Sequence, residues 1–243
     1  NENWNNLFDY NSALDDERVQ VRYRTRLWMK APLGSNVDLQ VGVNHETSQI
    51  LRPDLPFKAN ELVFETANVG IKRLFVDGLS LRVGRQNLTY GEGFLVSDGT
   101  PGDGSRTMYF NAAVLSYSRK RSRLDLIGIS NPRTDRYLPR INDQNRTLQD
   151  WGEQAIGVYY TGANLPGASI EAYYFYKKET GDTRPATHPQ HQGDRHVHTG
   201  GGRLVRMLSP RWSLTGELAL QWGAERPNKT IAASGGYAYL RRS

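Results

Sequence analysis

From Arg18 to Lys30 the chain alternates without a break. Val19, Val21, Tyr23, Thr25, Leu27 and Met29 fall on one parity, and Arg18, Gln20, Arg22, Arg24, Arg26, Trp28 and Lys30 on the other. A period of two predicts a β-strand with one apolar and one polar face. The polar face carries cations almost throughout, although like charges two residues apart repel and an ordinary wet face mixes signs. Two readings follow: a strand that lines a water-filled conduit for anions and turns its other face to lipid, or an exposed sheet face balanced by acids on its neighbours.

The same rhythm recurs down the chain. Val37, Leu39, Val41 and Val43 alternate with Asp38, Gln40, Gly42 and Asn44 after the turn at 31–35. A segment from Glu61 to Leu74 turns at Asp77-Gly78 and returns through Leu79, Leu81 and Val83, with Ser80, Arg82 and Gly84 opposite. Asp-Gly between strands is a hairpin signal. Further strands are expected at 106–118, 122–130, 154–161, 169–177, 196–208 and 212–222, with a partial one at 237–242, making roughly ten or eleven antiparallel strands and no amphipathic helix. Short links at 31–35, 76–78, 119–121, 162–168 and 209–211 alternate with long polar ones at 48–59, 88–105, 131–153, 178–195 and 223–230. Short turns on one rim and long loops on the other are the habit of outer-membrane barrels. Tyr159, Tyr160, Tyr173, Tyr174, Tyr176, Trp212 and Trp222 fit an interfacial aromatic girdle.

Composition agrees with a strand-built membrane protein. With 37% hydrophobic residues and a mean hydropathy of -0.65, the chain has no run near the roughly 18 apolar residues of a spanning helix. Barrel strands escape that requirement because only alternate residues meet lipid. Bacterial single-chain barrels close with an even number of strands, so the segment reads as part of a longer barrel, a single partial barrel domain over 1–243. No signal peptide pattern is read at Asn1, so the expectation is a mature, truncated or cytosolic chain, and the absence of cysteine removes disulfides and thiolate metal sites.

The net charge of +6 rests on arginine far more than on lysine. Guanidinium stays charged in any environment and matches carboxylate or phosphate with a planar fork, although base composition also raises arginine over lysine. By alternation Arg18, Arg22, Arg24, Arg26, Lys30 and Arg82 face a lumen, and Asp38, Glu61, Glu65, Asp125, Glu171 and Glu217 are the acids positioned to neutralise it.

Leu81-Arg-Val-Gly-Arg-Gln-Asn-Leu-Thr-Tyr-Gly-Glu-Gly93, a strand ending in Gly-Arg-Gln and followed by Tyr-Gly, resembles the alginate export family of outer-membrane β-barrels. The resemblance extends through Gly102–Tyr117 and back to the arginine strand. It implies an antiparallel transmembrane barrel of about 18 strands in the Gram-negative outer membrane. It also implies a surround of lipid, an anionic polysaccharide or other anionic solute as cargo, and a periplasmic export partner. It places Arg85 in the constriction as a further pore-lining cation. Arg85 is out of phase with Arg82, so an inward Arg85 requires a bulge near Gly84.

Other chemistries are weaker. His188, His191, His196 and His198, with Asp182 and Asp194, have spacings that bind metals, but no His-Glu-x-x-His helix accompanies them, and neither metal nor cofactor is expected. Gly99–Ser105 lacks the Lys-Ser/Thr ending of a phosphate loop. An arginine face can hold single-stranded nucleic acid, yet its strict alternation with aliphatics favours a barrel over a nucleic-acid module. An enzyme acting on polysaccharide would require His196 or His198 beside a Tyr and an Arg inside the barrel. The remaining alternatives are a porin with a charge-balanced lumen and a soluble glycan-binding β-sandwich.

Overall fold

A computed structural model describes residues 2–4, 18–52, 62–97, 109–139, 141, 151–180, 194–226 and 228–242. They form one antiparallel meander in which every strand pairs with its neighbours in sequence. The strands are β1 (Glu2–Trp4), β2 (Arg18–Pro32), β3 (Val37–Arg52), β4 (Leu62–Lys72), β5 (Leu79–Gln86), β6 (Phe110–Arg119), β7 (Ser122–Asn131), β8 (Glu153–Leu165), β9 (Ala168–Glu179), β10 (Arg195–Ser209), β11 (Trp212–Glu225) and β12 (Lys229–Arg242). Among the described residues there are twelve strands rather than ten or eleven. β1 is too short to show a period, and β12 begins eight residues before the expected Tyr237 because Ala232, Ala233, Ser234, Gly235 and Gly236 carry no alternation of polarity. The link between β11 and β12 is therefore short, an exception on the long-loop rim.

The register confirms the two faces. Leu27, Val41, Val69, Val83, Leu126, Ile156, Leu218 and Leu240 share one face and are mostly exposed, as an outer belt in contact with lipid must be. Asp38, Asn44, Asn68, Ser116, Asp125, Glu171, Thr199, Thr215 and Glu217 share the other and are buried. This inverts the arrangement of a soluble sheet: the polar side is the inside.

The polar face is also concave, which follows from one distance. Gly91 is five residues past the end of β5 and can reach about 18 Å from it. β11, six strands away, would lie about 29 Å off in a flat sheet. Yet a Cβ on Gly91 would stand 3.4 Å from the Glu217 carboxylate of β11. Only a sheet curled around its polar face brings them together.

Candidate functional site: a polar lumen crossed by one segment

On β2, Arg24, Arg26, Trp28 and Lys30 alternate on the face shared with Asp38, Gln40, Gly42 and Asn44 of β3. Arg26 pairs with Glu65 at 2.9 Å. Glu65 reaches this face because β4 shifts register between its pairings with Gly42 and Val43, which leaves Glu65 as the extra residue beside the inward Thr66. Arg82 donates from both terminal nitrogens, to Asn68 at 2.5 Å and to Asp38 at 3.0 Å. Arg18 and Arg22 occupy β2 positions opposite Trp4 and Ser48, but their side chains fall outside the described residues, as does Glu61.

Arg85 is a correction. The pairing of β5 with β4 and β6 runs without a shift through Gly84, so Arg85 keeps the parity of Val83 and stands on the outer face. Its side chain is fully buried there. It grips Asp135 with two terminal nitrogens at 2.9 Å each, Asn111 at 3.0 Å and the Phe64 carbonyl at 2.9 Å, with the Tyr109 ring 4.1 Å from its guanidinium carbon. The Gly-Arg-Gln motif is thus a latch at the strand end. Gly84 takes a positive φ of 121° where a Cβ would meet the Ala67 carbonyl at 2.3 Å, Arg85 holds the segment after β7, and Gln86 turns inward to donate to the Ala112 carbonyl.

The Tyr-Gly-Glu-Gly that follows enters the lumen. Tyr90 stacks on Tyr159 with ring centroids 4.3 Å apart and donates to Asp125 at 3.0 Å. Burial, then the neighbouring Asp125 carboxylate, pushes its phenol upward, so it stays a donor. Gly91, at φ +58°, passes so close to the polar face that a Cβ there would press on Arg203 at 3.2 Å and touch Glu217 and Glu171 at 3.4 and 3.5 Å. Glu92 accepts from Arg203 at 3.0 Å and from the Tyr239 hydroxyl, and Phe94 meets Tyr237 edge-on at 5.5 Å. The Tyr239 hydrogen bond, with Arg203 behind it, holds the Glu92 carboxyl below the usual carboxylate range. A backbone bond from Tyr90 N–H to the Val96 carbonyl, 3.1 Å, closes the segment on itself. Between it and the polar face lies a cleft of about 560 Å³ bounded by Asp38, Arg82, Tyr90, Arg123, Asp125 and Glu171.

The anticipated acids are joined here by further charged groups of the same parity, which alternation alone also assigns to this face. Arg123 pairs with Asp125 at 2.8 Å, Arg203 with Glu171 at 2.6 Å, and Glu179 with Lys177 and Arg195. Glu217 accepts from Tyr173 at 2.9 Å and Tyr237 at 2.8 Å. Tyr159 and Tyr173, expected in a girdle, are buried lumen residues instead. Tyr160, Tyr174, Tyr176, Trp212 and Trp222 are on the outer face. His196 and His198 are also on the outer face. His198 stacks on Trp222 at 5.6 Å and shares a 2.6 Å hydrogen bond with Tyr174, on the side of the sheet away from Arg195 and Arg203. The Tyr-His-Arg arrangement that an enzyme would need inside the barrel is therefore not assembled. His188, His191 and Asp182 lie outside the described residues, and among the described residues no cluster has metal-ligand geometry.

No curated protein matches the chain. Among solved structures it is similar to OmpT of Vibrio cholerae in its trimer form, at 7% identity and a TM-score of 0.41, covering 93% of this chain and 84% of that one. It is also similar to an anion-selective porin from Comamonas acidovorans, at 11% identity and a TM-score of 0.27, covering 90% and 88%. The family model for alginate export matches residues 3–241. With its all-antiparallel sheet, lipid-type outer face and polar interior, the chain belongs to the alginate export family and is an outer-membrane β-barrel protein of bacteria.

Proposed function

We propose that this channel protein passes an anionic polysaccharide, a polyuronate in the first instance, through a lumen built of arginine–carboxylate pairs. One observation carries the reading: two arginines of the polar face are held by acids yet remain partly open to water, Arg26 at 33% and Arg82 at 30% side-chain exposure. A passing carboxylate can approach the water-facing side of Arg26 or Arg82 while the more buried Glu65 and Asp38 keep their own bonds, so it is held weakly, by about 0–1 kcal/mol as for an exposed pair, and released again. A polymer needs many exchangeable sites of this kind rather than one tight pocket. The outer belt would meet lipid, and a periplasmic partner would deliver the polymer to the short-turn rim.

A second reading, a general porin that also passes small anions, is favoured by the same pairing, because Asp38, Glu65, Asp125, Glu171 and Glu217 offset the arginines. The reversal potential of the full protein in a planar bilayer across a KCl gradient, followed by addition of oligouronates, separates them. Anion selectivity with length-dependent block supports polymer passage. A potential near zero without block overturns it in favour of the balanced porin.

A further inference from the structure

Trp28 is an aromatic residue on the polar face of β2, a strand whose only described neighbour from Val21 onward is β3. Tyr159, Tyr173 and Phe175, on strands paired on both sides, are buried and Tyr237 and Tyr239 are partly buried, whereas Trp28 is 85% exposed among the described residues. Its register partner on β3 is Gly42, which has no side chain to cover the indole, and a Cβ there would lie 2.6 Å from the Thr66 hydroxyl, so that side chain would have to turn to admit one. Arg26 and Lys30 flank it at i−2 and i+2 on the same face, about 7 Å away along the strand. Trp28 is four residues from Pro32, where β2 ends at the short turn, and so stands about 13 Å inside the rim that faces the periplasm.

We infer that Trp28 is a stacking platform for a sugar ring at the periplasmic mouth, with Lys30 and Arg26 receiving the carboxylate of that ring. The inference rests on the polyuronate reading above and adds the element that recognises a saccharide rather than a charge. A pyranose has an apolar C–H face of slightly positive character, which complements the negative face of an indole. Its carboxylate projects from the ring edge, toward the cations on either side of Trp28. Because stacking reads a ring face rather than a hydrogen-bond pattern, it tolerates sliding from one sugar to the next.

The test is single-channel block of the full protein in planar bilayers by three probes applied from the short-turn side: an oligouronate, a neutral β-linked glucose oligomer of the same length, and polyglutamate, which has the charge but no sugar ring. Trp28→Leu keeps apolar bulk without an aromatic face, and Trp28→Phe keeps a smaller face. Trp28→Leu should weaken oligouronate block about tenfold, the equivalent of about 1.4 kcal/mol, with polyglutamate block unchanged and Trp28→Phe intermediate. Equal weakening toward polyglutamate, or none toward either sugar, overturns the stacking site while leaving the anion conduit standing. Failure of both anionic probes to block the unmodified protein overturns both readings.

Discussion

Arg203 of β10 and Glu92, 111 residues apart in sequence, meet at 3.0 Å inside the curl of the sheet. Their contact joins the segment after β5 to the far strands. Tyr239 fixes the same carboxylate from β12, and Glu171 holds the same guanidinium from β9. The segment is therefore fastened by charge at Glu92, by stacking at Tyr90 and by close approach at Gly91.

Acid should unfasten it. Glu92 titrates below its ordinary value near 4.5, first because of the Tyr239 hydrogen bond and then because of Arg203. A depressed carboxylate contributes fully above its unperturbed value, and the contribution is lost as pH falls through the lowered one. Single-channel conductance should thus be constant from neutrality to about pH 4.5 and change in a step below it. Glu92→Gln should already show the low-pH conductance at pH 7 and lose that step; an unaltered titration would mean that Glu92 does not fasten the segment.

Gly91→Val should mimic the released state at all pH values. The new side chain would sit within about 3.5 Å of Arg203, Glu217 and Glu171, at a φ of +58° that a β-branched residue resists. Larger and noisier conductance, with normal insertion and heat-modifiable gel mobility, is the expected outcome.

Arg82 and Arg85 are three residues apart and should behave oppositely. Arg82→Met leaves Asp38 uncompensated in the lumen, and the reversal potential should shift toward cations. Arg85→Met should leave selectivity unchanged. Asp135→Ala should lower stability by about 3 kcal/mol, since it leaves a fully buried guanidinium without its carboxylate, with Asn111 and the Phe64 carbonyl as its remaining acceptors, and urea unfolding in lipid vesicles would measure this. A selectivity change at Arg85 comparable to that at Arg82 would contradict the outer-face assignment.

Leu218 is at mid-strand in β11 and 57% exposed on the lipid face. Leu218→Arg should destabilise the inserted protein by roughly 2–4 kcal/mol, the cost of a cation at the bilayer midplane, whereas Leu218→Phe should be neutral. Equal stability of the two variants in the same unfolding assay would place that face in water.

Period-two patterning made both faces legible before any coordinates, because each strand's parity is local. Arg24, Arg26, Lys30, Arg82, Asp38, Asp125, Glu171 and Glu217 all occur on the face their alternation assigns. Glu65 reaches it through a bulge that no local pattern announces. For Arg85 the alternation was the better guide and the family resemblance the worse one. The inward segment was illegible for a different reason. Leu88–Val96 has no period, and what positions it are partners on β7 to β12, whose nearness depends on the curvature of the whole sheet. The glycine- and alanine-rich start of β12 hid for want of contrast between its two faces.

The segment from Asn87 to Val96 also acts as a chord drawn across an arc. One end is tied to β5 and its middle to β9, β10 and β11, so its contour length limits how far those strands can flatten. The radius of this curved sheet is then governed by a strut as well as by strand number and tilt. Because the strut's far anchors are on β10, β11 and β12, the curvature of this part of the wall is fixed only once those strands have joined the meander.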